Sequence, residues 1–116
     1  MKYRTSFLKH ANRDIDIIEE HISQFYESTV RNFFTELKKK VLMLEDMPFM
    51  YPAYERDPFF RRIVLNDYLL FYSVDEEQKL VDIHRIFHHA QDIDRHMQEY
   101  RYTGKEVAHR DKNAVC

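Results

Sequence analysis

The strongest constraint on this chain is a change in the period of its hydrophobic residues. From Asp14 onward Ile15, Ile18, Ile22, Phe25 and Tyr26 follow three- and four-residue steps, with Glu19, Glu20 and Gln24 on the opposite side. A second stretch after Ser28 carries Val30, Phe33, Phe34, Leu37, Val41 and Leu44 in the same rhythm. Such spacing places one apolar stripe on each of two amphipathic helices. Past Pro58 the rhythm shifts to runs rich in β-formers, Phe59 to Leu65, Tyr68 to Val74 and Leu80 to Phe87. They are separated by Asn66-Asp67, which suits a tight turn, and by the acidic loop Asp75 to Lys79, so an antiparallel meander is predicted. Residues 2 to 9 predict a first strand, with Asn12 as helix N-cap. Ser28 is placed as the cap of the second helix, and Ile93, Met97 and Tyr100 fall on one face of a short C-terminal helix. The fold class is α+β in the order β-α-α-β-β-β. An antiparallel sheet carries a two-helix hairpin on one face and leaves the other face open as a docking surface.

At 116 residues, 44% of them hydrophobic, the chain can fill one core. One domain is assigned to residues 1–100 and a polar, unpatterned tail to 101–116. A single glycine leaves neither a P-loop nor a dinucleotide fingerprint, and no cofactor is expected. The lone Cys116 excludes an intrachain disulfide and points to a reducing compartment. With no signal sequence and no long apolar run, the expectation is a cytoplasmic protein without membrane contact. Lys38-Lys39-Lys40 reads as a solvated helix face with one snorkelling stem, since three consecutive helical residues cannot face one way. Tyr51 and Tyr54, in the proline-interrupted loop between Met47 and Pro58, read as packing residues.

Strand alternation sends either Arg61 or Arg62 to the open face, near Arg85, His84 and His88. Histidine as proton-transfer group and arginine as phosphate clamp are the components of metal-free RNA cleavage. The same groups also suit an acidic partner, which is the commoner use of an arginine on a half-exposed strand. Metal binding by His84, His88, His89 and His96 is disfavoured, because four residues of strand span about 13 Å. A hydrogen-bonding role at the strand end is the expectation for His88.

Three segments, Phe60 to Val64, Tyr68 to Asp75 and Ile83 to Ile93, taken in this order of elements, resemble the RelE/ParE superfamily of bacterial toxins across residues 2–100. The resemblance implies the growth-inhibiting toxin of a type II toxin-antitoxin, plasmid-stabilisation module, in hetero-oligomeric complex with a cognate antitoxin. Within the superfamily, the RelE branch cuts messenger RNA on the ribosome and carries an arginine where this chain has Leu69. The ParE branch, associated with inhibition of DNA gyrase, begins this strand as Tyr68-Leu69 does and follows a histidine with Asp92-Ile93. The resemblance therefore implies a ParE-like, non-enzymatic gyrase inhibitor with Arg61, Arg62, Tyr68, Arg85, His88 and Asp92 as contact residues. The alternative is a RelE-like endoribonuclease acting on ribosome and mRNA through Arg62, Arg85, His88 and His89.

Overall fold

A computed structural model of the chain describes residues 2–102. Its elements are β1 (Arg4–Phe7), α1 (Lys9–Ile22), α2 (Glu27–Met43), β2 (Arg61–Leu65), β3 (Tyr68–Asp75), β4 (Leu80–His88) and a last helix, α3, over residues 93–102. Residues 101 and 102, assigned from the sequence to the tail, are helical, and positions 103–116 lie outside the described residues. Among the described residues no helix is long and apolar enough to cross a membrane.

The expected meander is present: β2 pairs with β3 and β3 with β4, all antiparallel. The two-residue turn at Asn66-Asp67 closes on the pair Leu65–Tyr68, with Asn66 at φ 54°. A short polar side chain tolerates that left-handed backbone at little cost. The first strand departs from the antiparallel expectation. It joins the outer edge of β4 in parallel, Arg4 opposite Leu80 through Phe7 opposite Ile83, giving the sheet order β1-β4-β3-β2.

Both helix starts fall earlier than predicted. α1 begins directly after Phe7 with Leu8 at the N-cap, and Asn12 sits inside its first turns, where its side chain donates to the Phe7 carbonyl at 3.3 Å. α2 starts at Glu27, with Tyr26 rather than Ser28 at the cap. Neither cap residue supplies a side-chain hydrogen bond, so burial of the helix stripes rather than capping fixes these starts.

The stripes meet as expected. Ala11, Ile18 and Ile22 of α1 and Phe33, Leu37 and Val41 of α2 pack on Ile63, Leu65, Tyr68, Leu70, Tyr72, Val81, Ile83 and Ile86 of the sheet. Lys40 is the snorkelling lysine of its run. Its Nζ donates to the Val64 carbonyl at 2.6 Å, while Lys38 and Lys39 stay exposed.

The other sheet face is not open. Tyr54 and Phe60 from the long loop and Met97 and Tyr100 from α3 close over Phe71 and Phe87 to form a second apolar cluster. The stripe at Ile93, Met97 and Tyr100 packs on the sheet rather than standing beside it. Among the described residues the corner of this face at the β2–β3 turn stays uncovered, with Val64 58% exposed.

Candidate functional site

Strict alternation along β4 fails at one residue. Phe71 pairs with Arg85 but Tyr72 pairs with Ile83, so His84 is the extra residue of a β-bulge. Val81, Ile83 and Ile86 therefore face the helical hairpin, whereas Phe87 faces α3 with His84. The bulge takes His84 out of any surface constellation. The ring is 4% exposed, with Nε2 2.8 Å from Ser73 Oγ and Nδ1 2.6 Å from the Tyr100 hydroxyl, and it ties α3 to the sheet.

Arg85 is held elsewhere. Its Nε donates to Asp14 Oδ2 at 2.7 Å and its Nη2 to Oδ1 at 3.0 Å, a bidentate pair between β4 and α1. The guanidinium also lies 4.5 Å from the Phe87 ring centroid and 5.5 Å from that of Tyr100. Asp14 accepts in addition the backbone N–H of Ile86 at 2.9 Å. That N–H belongs to the part of β4 that runs beyond its pairing with β1. Beside this pair His10 packs edge-on against Tyr100, its pKa lowered first by burial and then by the Arg85 charge.

The two candidate arginines of β2 point to opposite faces. Arg61 turns to the hairpin side and its Nη1 donates to the Tyr51 carbonyl at 2.6 Å and the Phe49 carbonyl at 3.4 Å, clamping the long loop. Arg62 turns to the α3 side. It lines a cleft of about 350 Å³ with Tyr54, Leu69, Phe71, His89, Gln91, Asp92, Ile93 and Asp94. Among the described residues no hydrogen bond or ion pair engages the Arg62 guanidinium.

His88 has the strand-end role expected of it. Its Nδ1 accepts from the Ala90 N–H at 3.1 Å, and its own N–H donates to Gln91 Oε1 at 2.9 Å, which fixes the turn into α3. Tyr68 is buried between Phe33 and His88, both edge-on at 5.3 Å. Its phenol is raised above the usual tyrosine range by burial and by Asp67. Tyr54 is a packing residue, with its hydroxyl on the Asp94 carboxylate. Of the sequence candidates, the structure brings Arg62, His89 and Asp92 into one cleft and separates Arg61, Tyr68 and Arg85 from it.

The sequence reading missed Asp14, Ser73 and Gln91. Asp14 did leave a trace, an acidic residue on the apolar stripe between Ala11 and Ile18, where a charge calls for a buried partner.

The order of elements, the helical hairpin on a four-stranded sheet and the last helix across its second face now stand beside known proteins. A family model described as the ParE toxin of the type II toxin-antitoxin system parDE matches residues 6–93. The chain belongs to this family. Among solved structures, the chromosomal ParDE system of P. aeruginosa superposes with a TM-score of 0.63 at 17% identity, covering 74% of this chain and 95% of that one. The isolated RelE toxin of E. coli gives 0.56 at 18% identity over 90% and 98%. A RelBE toxin-antitoxin complex of Mycobacterium tuberculosis gives 0.54 at 19% over 76% and 99%. At such identities the likeness is one of fold. No curated protein matches the sequence. In this ParE family chain Leu69 lies on the floor of the Arg62 cleft, one position after the buried Tyr68.

Proposed function

We propose that the chain is a non-catalytic toxin that arrests growth by inhibiting DNA gyrase in the cytoplasm and is neutralised by a cognate antitoxin. The observation that carries this reading is the loss of the second cation from the Arg62 cleft, where Leu69 stands and from which Arg85 is held away by Asp14. Cleavage of a phosphodiester requires a base and an acid within hydrogen-bond reach of the reacting oxygens, and a cation at the phosphate. Here Arg85 is occupied by Asp14, His84 is buried against Ser73 and Tyr100, and Arg61 is spent on loop carbonyls. The aliphatic Leu69 cannot offset phosphate charge. The ParE family model supports the gyrase branch, and the P. aeruginosa ParDE system supports a paired antitoxin.

Purified chain is expected to block supercoiling of relaxed plasmid by gyrase at near-stoichiometric concentration and to leave ribosome-bound transcripts intact. A RelE-like endoribonuclease is the second reading, favoured by the shared placement of Arg62 and His89. Site-specific transcript cleavage that is lost in both Arg62→Ala and His89→Ala, with supercoiling untouched, would establish it and end the gyrase proposal.

A further inference from the structure

The cleft at the start of α3 is built like a receptor for one side chain. Arg62 and Leu69 rise from neighbouring strands, Phe71 and Tyr54 form the inner wall, and Ile93 closes the side toward α3. Leu69 pairs across the sheet with the exposed Val64, so an apolar surface continues from the cleft to the β2–β3 turn. Arg61 and Arg85 have partners in the molecule, as do Arg56 and Arg101, which pair with Asp94 and Asp57. Arg62 is half-buried with no such partner among the described residues. A guanidinium against apolar walls forms stronger bonds to a planar anion than one in open water.

The rim selects which anion. Asp92 and Asp94 line the opening, and Asp67 stands behind His89. Asp94 is neutralised by Arg56 at 3.4 Å and by the Tyr54 hydroxyl, and Asp67 lies 3.8 Å from His89. A polyanion with a charge on every unit would meet these carboxylates wherever it left the cleft. A peptide can carry one carboxylate to Arg62 and place apolar side chains on Leu69 and Val64. Rings at the cleft already have ring partners, Tyr54 edge-on against Phe71 and His89 stacked on His88.

We propose that this cleft binds a single carboxylate side chain from an extended segment in which one acidic residue is flanked by apolar ones. Arg62 receives the carboxylate, and Leu69 with Val64 receives the flanking apolar side chain. The segment belongs to the antitoxin, an identity that rests on the toxin-antitoxin reading above, whereas the chemistry of the cleft does not.

The test uses the full chain, made by cell-free synthesis, and three probes: a twelve-residue peptide of Leu and Ser with one Glu at its centre, its twin with Gln in that place, and a twelve-nucleotide RNA. Binding is followed by NMR through the Leu69 methyl groups, the Arg62 side-chain Nε–H and the backbone amides around the cleft. The Glu peptide is expected to shift these signals, with the Gln twin at least tenfold weaker. Arg62→Ala should lose at least tenfold in affinity with amide signals away from the cleft unchanged, and Arg62→Lys, which keeps charge without the planar fork, should fall between. Equal binding of the Gln twin, unaltered binding by Arg62→Ala, silence of the cleft signals up to millimolar Glu peptide, or RNA binding that depends on Arg62 would each overturn the proposal. Co-expression with a candidate antitoxin tests the partner separately. Failure to relieve growth arrest, with the peptide result intact, would end the antitoxin assignment and leave the carboxylate site standing.

Discussion

Asp14 and Arg85 show how much one buried pair can organise. Removing the Asp14 carboxylate strips Arg85 of its partner and leaves the Ile86 N–H without its acceptor. Breaking a mostly buried pair from one side costs more than replacing both members, because the survivor keeps its desolvation penalty. Asp14→Ala is expected to lower stability by about 2–4 kcal/mol, read from urea midpoints. The Asp14→Ala/Arg85→Ala double variant should fall clearly short of the sum of the singles, and additive losses would show the pair to be uncoupled. A single titrating residue supplies a second prediction. Burial pushes the Tyr72 phenol up to about 12 from 10.0, and its hydroxyl donates to the Pro48 carbonyl at 2.7 Å. The folded state keeps this group neutral at a pH where the unfolded chain ionises. Its contribution is full below pH 10 and is lost as pH rises toward 12. Tyr51, Tyr54 and Tyr68 shift in the same direction, so Tyr72→Phe should reduce the alkaline slope of stability without abolishing it. An unchanged slope between pH 9 and 12 would contradict this assignment.

At the scale of elements, α3 is fastened by more than its apolar stripe. The Tyr100 hydroxyl meets His84 in the interior of the second cluster, so Tyr100→Phe deprives a buried ring nitrogen of that hydroxyl at a cost of about 1–3 kcal/mol. Hydrogen exchange should localise the effect, with faster exchange over residues 93–102 and little change in α1 and α2. The β3–β4 turn offers a change of opposite sign. Lys79 has φ 54°, a conformation that glycine adopts freely and lysine does not. Lys79→Gly is expected to gain about 0.5 kcal/mol in thermal or urea unfolding, after allowing for the lost cation–π contact with Tyr3 at 5.1 Å. Most elements were legible because each has its own period, and the stripe at Ile93, Met97 and Tyr100 was legible too. Its destination was not, since a periodic stripe says that a face is buried without saying against what. The same holds for β1, whose four residues carry no sign of whether they pair in parallel. The Asp14–Arg85 pair was hidden by sequence distance, and the bulge at His84 by the absence of any local mark of an extra residue.

For the sheet as a whole, the outer edge of β2 and the part of β4 that β1 leaves free are both engaged by other elements. Loop residues Pro52 and Ala53 and the Lys40 ammonium cover the outer edge of β2, while Leu8, Asp14 and Gln91 serve the free part of β4. Exposed sheet edges invite unwanted strand pairing, and here backbone and side-chain groups from helices and loops take the place of a further strand. The parallel contact between β1 and β4 also governs when the fold can be completed. Arg4 finds its partner only once Leu80 has been made, and the strands between them must already be in position. At roughly 5–20 residues per second, translation leaves β1 waiting several seconds while the rest of the domain is added. The sheet of this chain therefore cannot close until β4 has left the ribosome, which places completion of the fold at the end of synthesis.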